Sequence, residues 1–276
     1  MTPQLVALDI DGTLVDWSEQ PSAAVITAVR AVQRAGAHVV LCTGRSVYAV
    51  TGVIDALGLR SGRGVASNGA VTFGFPPVRA TSTVTFDARP AVEAILRRVP
   101  DALVAVEVVG RGYRVNSRFP EGEITGEMWV EPLDQLLDEP VSRVIIRDPA
   151  ASADDFLELA AAAGLHGINY SVGFTAWLDL APEGVSKASA LAQVAASLGV
   201  PQGAVLAIGD GRNDVEMLAW AGRGVAMGQA PPEVQEVADA VTGSLVQDGV
   251  ATELARWFPL AQPAEPAAAP AVEETA

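Results

Sequence analysis

Four short apolar runs in this chain break abruptly into polar turns, and that recurrence constrains the fold more than any other feature. "LVAL" breaks into Asp9-Ile10-Asp11-Gly12-Thr13, and "HVVLC" into Thr43-Gly44-Arg45-Ser46. "GVA" breaks into Ser67-Asn68-Gly69, and "AVLAI" into Gly209-Asp210-Gly211. Helix-like stretches lie between the runs: 21–35, with Pro21 near its start and Gly36 at its stop, and 47–57. Runs that stay apolar instead of alternating belong to strands covered on both faces. Strand and helix repeating through short loops predict an α/β chain with a parallel sheet. The pattern resumes with helix 187–198, strand "AVLAIGD", helix 213–221, strand "GVAMG" and helix 232–240.

Between these halves the texture changes. Residues 80–182 hold strand-like segments ("TSTVTF", "LVAVEVV", "YRVNSR", "SRVIIRD", "INYSVGFTAWLDL"), with helices near 89–99 and 152–163. Hairpin-like pairs such as "LVAVEVVGRGYRVNS" suggest an antiparallel sheet carrying helices, hence an inserted α+β domain. The expected division is a discontinuous core, 1–79 and 183–260, around an insert at 80–182. The Ala-, Pro- and Glu-rich stretch 261–276 reads as a disordered tail.

Asp9 and Asp11 pose the chemical question. Asp-Gly-Thr is ordinary turn and capping material, which accounts for one acid well and for two poorly. In an extended segment residues i and i+2 point the same way, so the two carboxylates would crowd each other. Like charges that close raise a pKa or call for a cation, and a hard oxygen-loving ion such as Mg2+ suits them. The rest of the composition leaves few other routes to chemistry. Two histidines and one cysteine are little material for a zinc site or a Ser-His-Asp triad. The net charge of −15 argues against a nucleic-acid binder. No run of about 18 uncharged apolar residues predicts a membrane span, and the N-terminus lacks signal-peptide regions. The lone Cys42 suits a reducing cytoplasm.

Three further strand ends add donors and acids. Thr43-Gly44 is either a helix cap or an anion site of hydroxyl and backbone N–H groups. Lys187 is either a solvated surface lysine or the partner of an anion, since a lysine at a helix start opposes the dipole. Asp210 repeats the placement of Asp9, and Asn213-Asp214 open the next helix. Ligands in open α/β sheets gather at the carboxyl ends of strands, so Asp9, Asp11 and Asp210, with Asp214 as a further candidate, are expected to form one acidic cup. With Thr43 and Lys187 beside it, such a cup has what phosphoryl transfer needs.

Taken in order, "ALDIDGTL", "TGR", "SNGA", "GVSKASAL", "GDGRNDVEML", "VAMGQAPPEVQEVADAVT" and "DGVA" resemble the haloacid dehalogenase superfamily, in its Cof-type branch with an α+β (type IIB) cap. The resemblance spans residues 4 to 258. It implies a Rossmann-like core with an inserted cap, and a Mg2+-dependent phosphatase of small phosphorylated metabolites, sugar phosphates foremost. It implies Asp9 as nucleophile and Asp11 as acid and base. Mg2+ would be held by Asp9, the Asp11 backbone carbonyl and Asp210, with Asp214 in support. Thr43, Gly44, Lys187 and Asn213 would bind phosphate and substrate, and Lys187 would restrain Asp9. Asn68-Gly69 fits either the family pattern or a plain turn. The family's Asn/Asp-rich run before "DGV" is replaced by Ser244-Leu245-Val246-Gln247. A phosphomutase and a non-catalytic binder of phosphorylated ligands are the alternatives, and the intact Asp9/Asp11 pair argues against the latter. Specificity is expected from the cap, with Arg114, Arg118, Arg143 and Arg147 as candidates.

Overall fold

The computed structural model describes residues 1–16, 19–149, 151–152, 155, 158, 168–172 and 177–259. The predicted tail at 261–276, and most of the helix expected at 152–163, lie outside them. The first sheet holds β1 (Leu5–Leu8), β2 (His38–Cys42), β3 (Gly62–Ala66), β4 (Val71–Phe75) and β5 (Arg79–Thr83). The second holds β6 (Leu103–Val108), β7 (Gly112–Val115), β8 (Glu127–Val130), β9 (Val144–Arg147), β10 (Ile168–Val172) and β11 (Trp177–Pro182). Strands β12 (Val205–Gly209), β13 (Arg223–Ala226) and β14 (Ala240–Val241) return to the first.

The first sheet runs β14-β13-β12-β1-β2-β3-β4-β5, parallel except at β4 and β5. Period-two alternation buries β1 on both faces. Leu5 and Ala7 pack with Ala188, Leu191 and Val194 of helix Lys187–Ser197. Val6 and Leu8 pack with Val29 and Val32 of helix Ala23–Arg34 and with Leu254 of helix Gly249–Ala255. Each such fully buried side chain contributes roughly 1.5–3 kcal/mol, which is why the run must stay apolar. In register, Leu8 pairs with Leu41 on one side and Ile208 on the other. The chain steps outward from β1 in one direction through β2 and β3, and in the other through β12 and β13. Asp9, Thr43 and Asp210 therefore follow neighbouring strand ends at the point where the order reverses, the crevice that open α/β sheets use for ligands.

The second sheet, ordered β10-β11-β9-β6-β7-β8, is the inserted α+β cap. Its pairs are antiparallel except β7 with β8, so it is mixed rather than purely antiparallel. Helix Arg89–Leu96 covers one face through Val92 and Ile95, against Val104, Val106, Val144 and Ile146. The break expected at 79/80 falls inside β5, which pairs with β4 from Gly74–Arg79 to Val71–Thr83. "TSTVTF" thus begins as an edge strand of the first sheet. Its exposed threonines gave no sign of that partner, because edge pairing is a backbone matter. The helices predicted at 47–57 and 213–221 each open with a 3-10 turn, Val47–Val50 and Arg212–Asp214.

Candidate active site

Lys187 is the centre of the site. It opens helix Lys187–Ser197, whose N-cap Ser186 accepts from the Ser189 N–H, with a reciprocal bond from the Ser186 N–H to Ser189 Oγ. That capping box fixes the first turn. The lysine is 1% exposed, and its Nζ donates to Asp9 Oδ1 and to Asp214 Oδ1, each at 2.7 Å. The surface-lysine alternative is thereby excluded. Burial alone would lower its pKa, and Asp214 and Asp9 more than offset that, so the ammonium stays charged.

Asp9, Asp210 and Asp214 are all buried, and one oxygen of each lies within 4.8 Å of the others. Asp214 is fully engaged: Oδ1 faces Lys187, and Oδ2 accepts the Asp210 and Gly211 N–H groups at 3.0 and 2.9 Å. Asp210 Oδ1 accepts from Thr13 Oγ1 at 3.2 Å, and Gln229 Nε2 sits 3.4 Å from Oδ2. Gly12 Cα approaches the Asp210 carboxylate so closely that a Cβ would overlap it. Three carboxylates against one ammonium strain the site electrostatically. Burial, then Asp214, pushes the Asp210 carboxyl up to about 6. Burial and Asp214 also raise Asp9 well above the ordinary range, against the pull of Lys187.

Asp11 departs from the sequence expectation. Strand β1 ends at Leu8, and the N–H groups of Thr13, Leu14 and Val15 all turn back to the Ile10 carbonyl. The same-side rule for extended chain stops applying, and the Asp11 carboxylate lies outside the triad of Asp9, Asp210 and Asp214. Its side chain, 59% exposed, takes a forked ion pair from Arg45, Nη2–Oδ1 at 2.7 Å and Nε–Oδ2 at 2.9 Å. The crowding of Asp9 with Asp11 is thus replaced by crowding of Asp9 with Asp210 and Asp214.

The remaining residues join through two loops. Thr43 is buried; its Oγ1 accepts the Arg45 N–H at 3.0 Å, and its carbonyl accepts the Asn68 N–H at 3.1 Å. Asn213 Nδ2 donates to Asn68 Oδ1 at 3.0 Å, and Gly44 lies against both side chains. Gly69, at φ 106°, is pressed onto the Ser186 carbonyl and Lys187 N, so Ser67-Asn68-Gly69 is more than a plain turn. The divergent stretch Ser244–Gln247 acts at one remove. The Leu245 N–H donates to Gln229 Oε1, while Gln229 Nε2 donates to the Gly12 carbonyl at 2.6 Å.

Of the cap arginines, Arg118 is exposed. Arg114 donates to the Gln135 and Leu136 carbonyls, and Arg147 pairs with Glu123. Arg143 alone of the four is buried, held by Asp179 at 2.6 Å and by the Tyr113 hydroxyl at 3.2 Å. Sequence reasoning missed Glu107 beside it, whose Oε2 accepts from Ser67 Oγ at 2.6 Å. The signal was present: one acid inside the apolar strand "LVAVEVV".

Comparison with known proteins decides the family. The haloacid dehalogenase-like hydrolase family matches residues 6–254. The chain belongs to that family. It is 28% identical over 256 residues to the 5-amino-6-(5-phospho-D-ribitylamino)uracil phosphatase of Bacillus subtilis, covering 92% of this chain and 95% of that one. Among solved structures it resembles a phosphatase of the haloalkanoate dehalogenase superfamily from Bacteroides thetaiotaomicron, at 27% identity and TM-score 0.77, over 93% and 95% of the two chains. A subclass IIB sugar phosphatase shares the fold, with TM-score 0.76 at 20% identity over 92% and 98%. Among the described residues no helix is long and apolar enough to cross a membrane.

Proposed function

We propose that the chain is a Mg2+-dependent phosphatase of small phosphorylated metabolites, sugar phosphates foremost, acting through an aspartyl-phosphate at Asp9. The observation that carries this reading is the Lys187 bridge. By occupying Asp9 Oδ1 it leaves Oδ2 as the attacking oxygen and fixes its direction. Phosphatase relatives matched along nearly the whole chain support the reaction class.

The donor set is all oxygen, buried, and short of positive charge, which fits Mg2+. Asp9, Asp210 and the Asp11 backbone carbonyl would hold it, with Asp214, both of whose oxygens are engaged, orienting the others. When bound, the ion supplies positive charge to phosphoryl oxygens and relieves the carboxylate repulsion. In this reading the Thr43 hydroxyl and Lys187 steady the phosphoryl group. Asn213, held by Asn68, borders the same space. Asp11 protonates the leaving oxygen and then takes a proton from the hydrolytic water. To do so it must exchange Arg45 for substrate. Arg45 also pairs with Glu19 at 3.3 Å, so it keeps a carboxylate partner when Asp11 turns to substrate.

Stereochemistry tests the covalent route. Each in-line displacement inverts configuration at phosphorus; transfer to Asp9 followed by hydrolysis is two displacements, and direct attack by water is one. With a thiophosphate substrate made chiral by oxygen isotopes, net retention is expected. Net inversion would remove Asp9 from the nucleophile's role.

A further inference from the structure

The face of the cap sheet opposite helix Arg89–Leu96 carries buried charges where a sheet face ordinarily packs apolar side chains. Alternation places Leu103, Ala105 and Glu107 of β6 on one face, with Arg143 and Ile145, Tyr113 and Val115, and Trp177 and Asp179 on the neighbouring segments. Ala105, Val115 and Ile145 form an apolar cluster there. Glu107, Arg143 and Asp179 interrupt it, and Glu107 meets the core loop at Ser67.

Ser67 is not an arbitrary contact. Its N–H donates to the Arg45 carbonyl at 2.8 Å, and the next N–H, of Asn68, to the Thr43 carbonyl. Ser67 and Asn68 sit at φ 51° and 53°, in the left-handed region that non-glycine residues rarely adopt. Such conformations persist where the surroundings over-determine them, commonly at ligand sites. Glu107 therefore abuts the two loops that carry Thr43, Arg45 and Asn68.

Its bonding is half complete. Glu107 is 6% exposed; Oε2 takes the Ser67 hydroxyl and Oε1 has no hydrogen-bond partner. Ser46 Oγ, from the other loop, is buried and likewise unpartnered, close enough to Tyr113 to bear on its ionisation without meeting hydrogen-bond geometry. Of the three such atoms among the described residues these are two; the third, Ser142 Oγ, precedes Arg143 in the chain. Burying a polar atom unpaired costs about 1–3 kcal/mol, so each asks for an explanation. The nearby cation does not answer it, because Arg143 is bound to Asp179 and Tyr113. Burial raises the Glu107 carboxyl above its usual range, against Arg143, the Ser67 hydroxyl and the Val47 N–H, which lies near the carboxylate without meeting hydrogen-bond geometry to Oε1.

We propose that Glu107 Oε1 accepts the hydrogen of a hydroxyl of the substrate's leaving group while the Ser46 hydroxyl donates to that hydroxyl's oxygen, making Glu107 a specificity-determining residue that selects polyol phosphates over esters whose leaving group carries a carboxylate. The assignment rests on the phosphatase reading above. A hydroxyl completes the unpaired carboxylate, whereas a second carboxylate would be repelled by Glu107 and find Arg143 already neutralised. A purely structural latch would use Oε2 alone, and a glutamine can still accept from Ser67.

The test uses the full chain with Mg2+ and three esters: ribitol phosphate, phosphoglycolate, and p-nitrophenyl phosphate, whose leaving group has no alcohol. The wild type should prefer ribitol phosphate to phosphoglycolate; the reverse order overturns the assignment. In Glu107→Gln, the ratio of kcat/KM for ribitol phosphate to that for p-nitrophenyl phosphate should fall about tenfold or more, the range of a charge-assisted hydrogen bond. Ser46→Ala, which removes no hydrogen bond of the folded chain, is the second arm, with an expected fall of about threefold or more. Smaller falls in folded variants overturn the assignment, leaving Glu107 as a latch or its free oxygen met by a bound water only. A wild type that releases phosphate from none of the esters overturns the phosphatase reading itself, which the ratio test leaves untouched.

Discussion

Lys187 shows how much one charge decides. Between Asp9 and Asp214, with Asp210 alongside, it is the ammonium that makes a cluster of buried carboxylates tolerable. Removing one partner of a buried ion pair leaves charge uncompensated and costs about 3–5 kcal/mol. Lys187→Met keeps most of the side-chain volume, so packing contributes little to the loss. We expect that destabilisation in urea melts at pH 7.5 without divalent cation, and a clearly smaller one at pH 5, where Asp210, near 6 in the folded chain, protonates. An equal loss at both pH values would mean that the lysine does not act by balancing the raised carboxylates. Cys42 marks the contrast at this scale: buried, with its thiol pushed well up by desolvation, it is an inert core residue.

At the scale of elements, the turn Ser67–Gly69 ties β3 to the helix that carries Lys187. Gly69 combines φ 106° with contact against the Ser186 carbonyl, and a side chain there has no alternative path. Gly69→Ala should cost about 1–3 kcal/mol in strain, plus displacement of the helix start. The expected readout is a loss in kcat, because the start of the helix that carries Lys187 shifts and the Lys187–Asp9 bond with it; an unchanged kcat in a folded variant would contradict it. These elements differ in how openly the sequence announces them. β1, β2 and β12 were legible because burial on both faces forces unbroken apolar runs, and Asp9, Thr43 and Asp210 because they end those runs. β5 was not, since its exposed residues carry no periodic signal and its place comes from backbone pairing with β4. The turn of Asp11 toward Arg45 was equally hidden, because it depends on where β1 stops and on a residue 34 positions away. Glu107 was visible as an acid in an apolar strand, but its meaning needed Ser67, forty residues earlier.

For the whole molecule these local choices become a dependence of stability on pH and metal. The folded chain holds the Asp210 carboxyl near 6, above its unfolded value, and raises Asp9 as well. A raised acid binds more protons folded than unfolded, so stability falls as pH climbs between the unfolded and folded pKa values. Without divalent cation, stability should therefore drop from pH 5 to pH 7 by on the order of 1–3 kcal/mol. Glu233, held below its usual range by its backbone N–H and by Arg212, works with the opposite sign, but it is exposed and its titration lies lower. Lys187 is constant across this window, since its pKa is raised further from neutrality. A cation changes the sign of the trend, because it binds the ionised carboxylates and competes with their protons. At a hundredfold excess over its Kd it adds about 2.7 kcal/mol, and that gain should be large at pH 7.5 and small at pH 5. Melting temperatures in EDTA and in saturating Mg2+ at the two pH values check this. The EDTA curve should fall with rising pH and the Mg2+ curve should not. An equal Mg2+ stabilisation at both would put the ion somewhere other than Asp9, Asp210 and Asp214, whatever the enzyme's activity required.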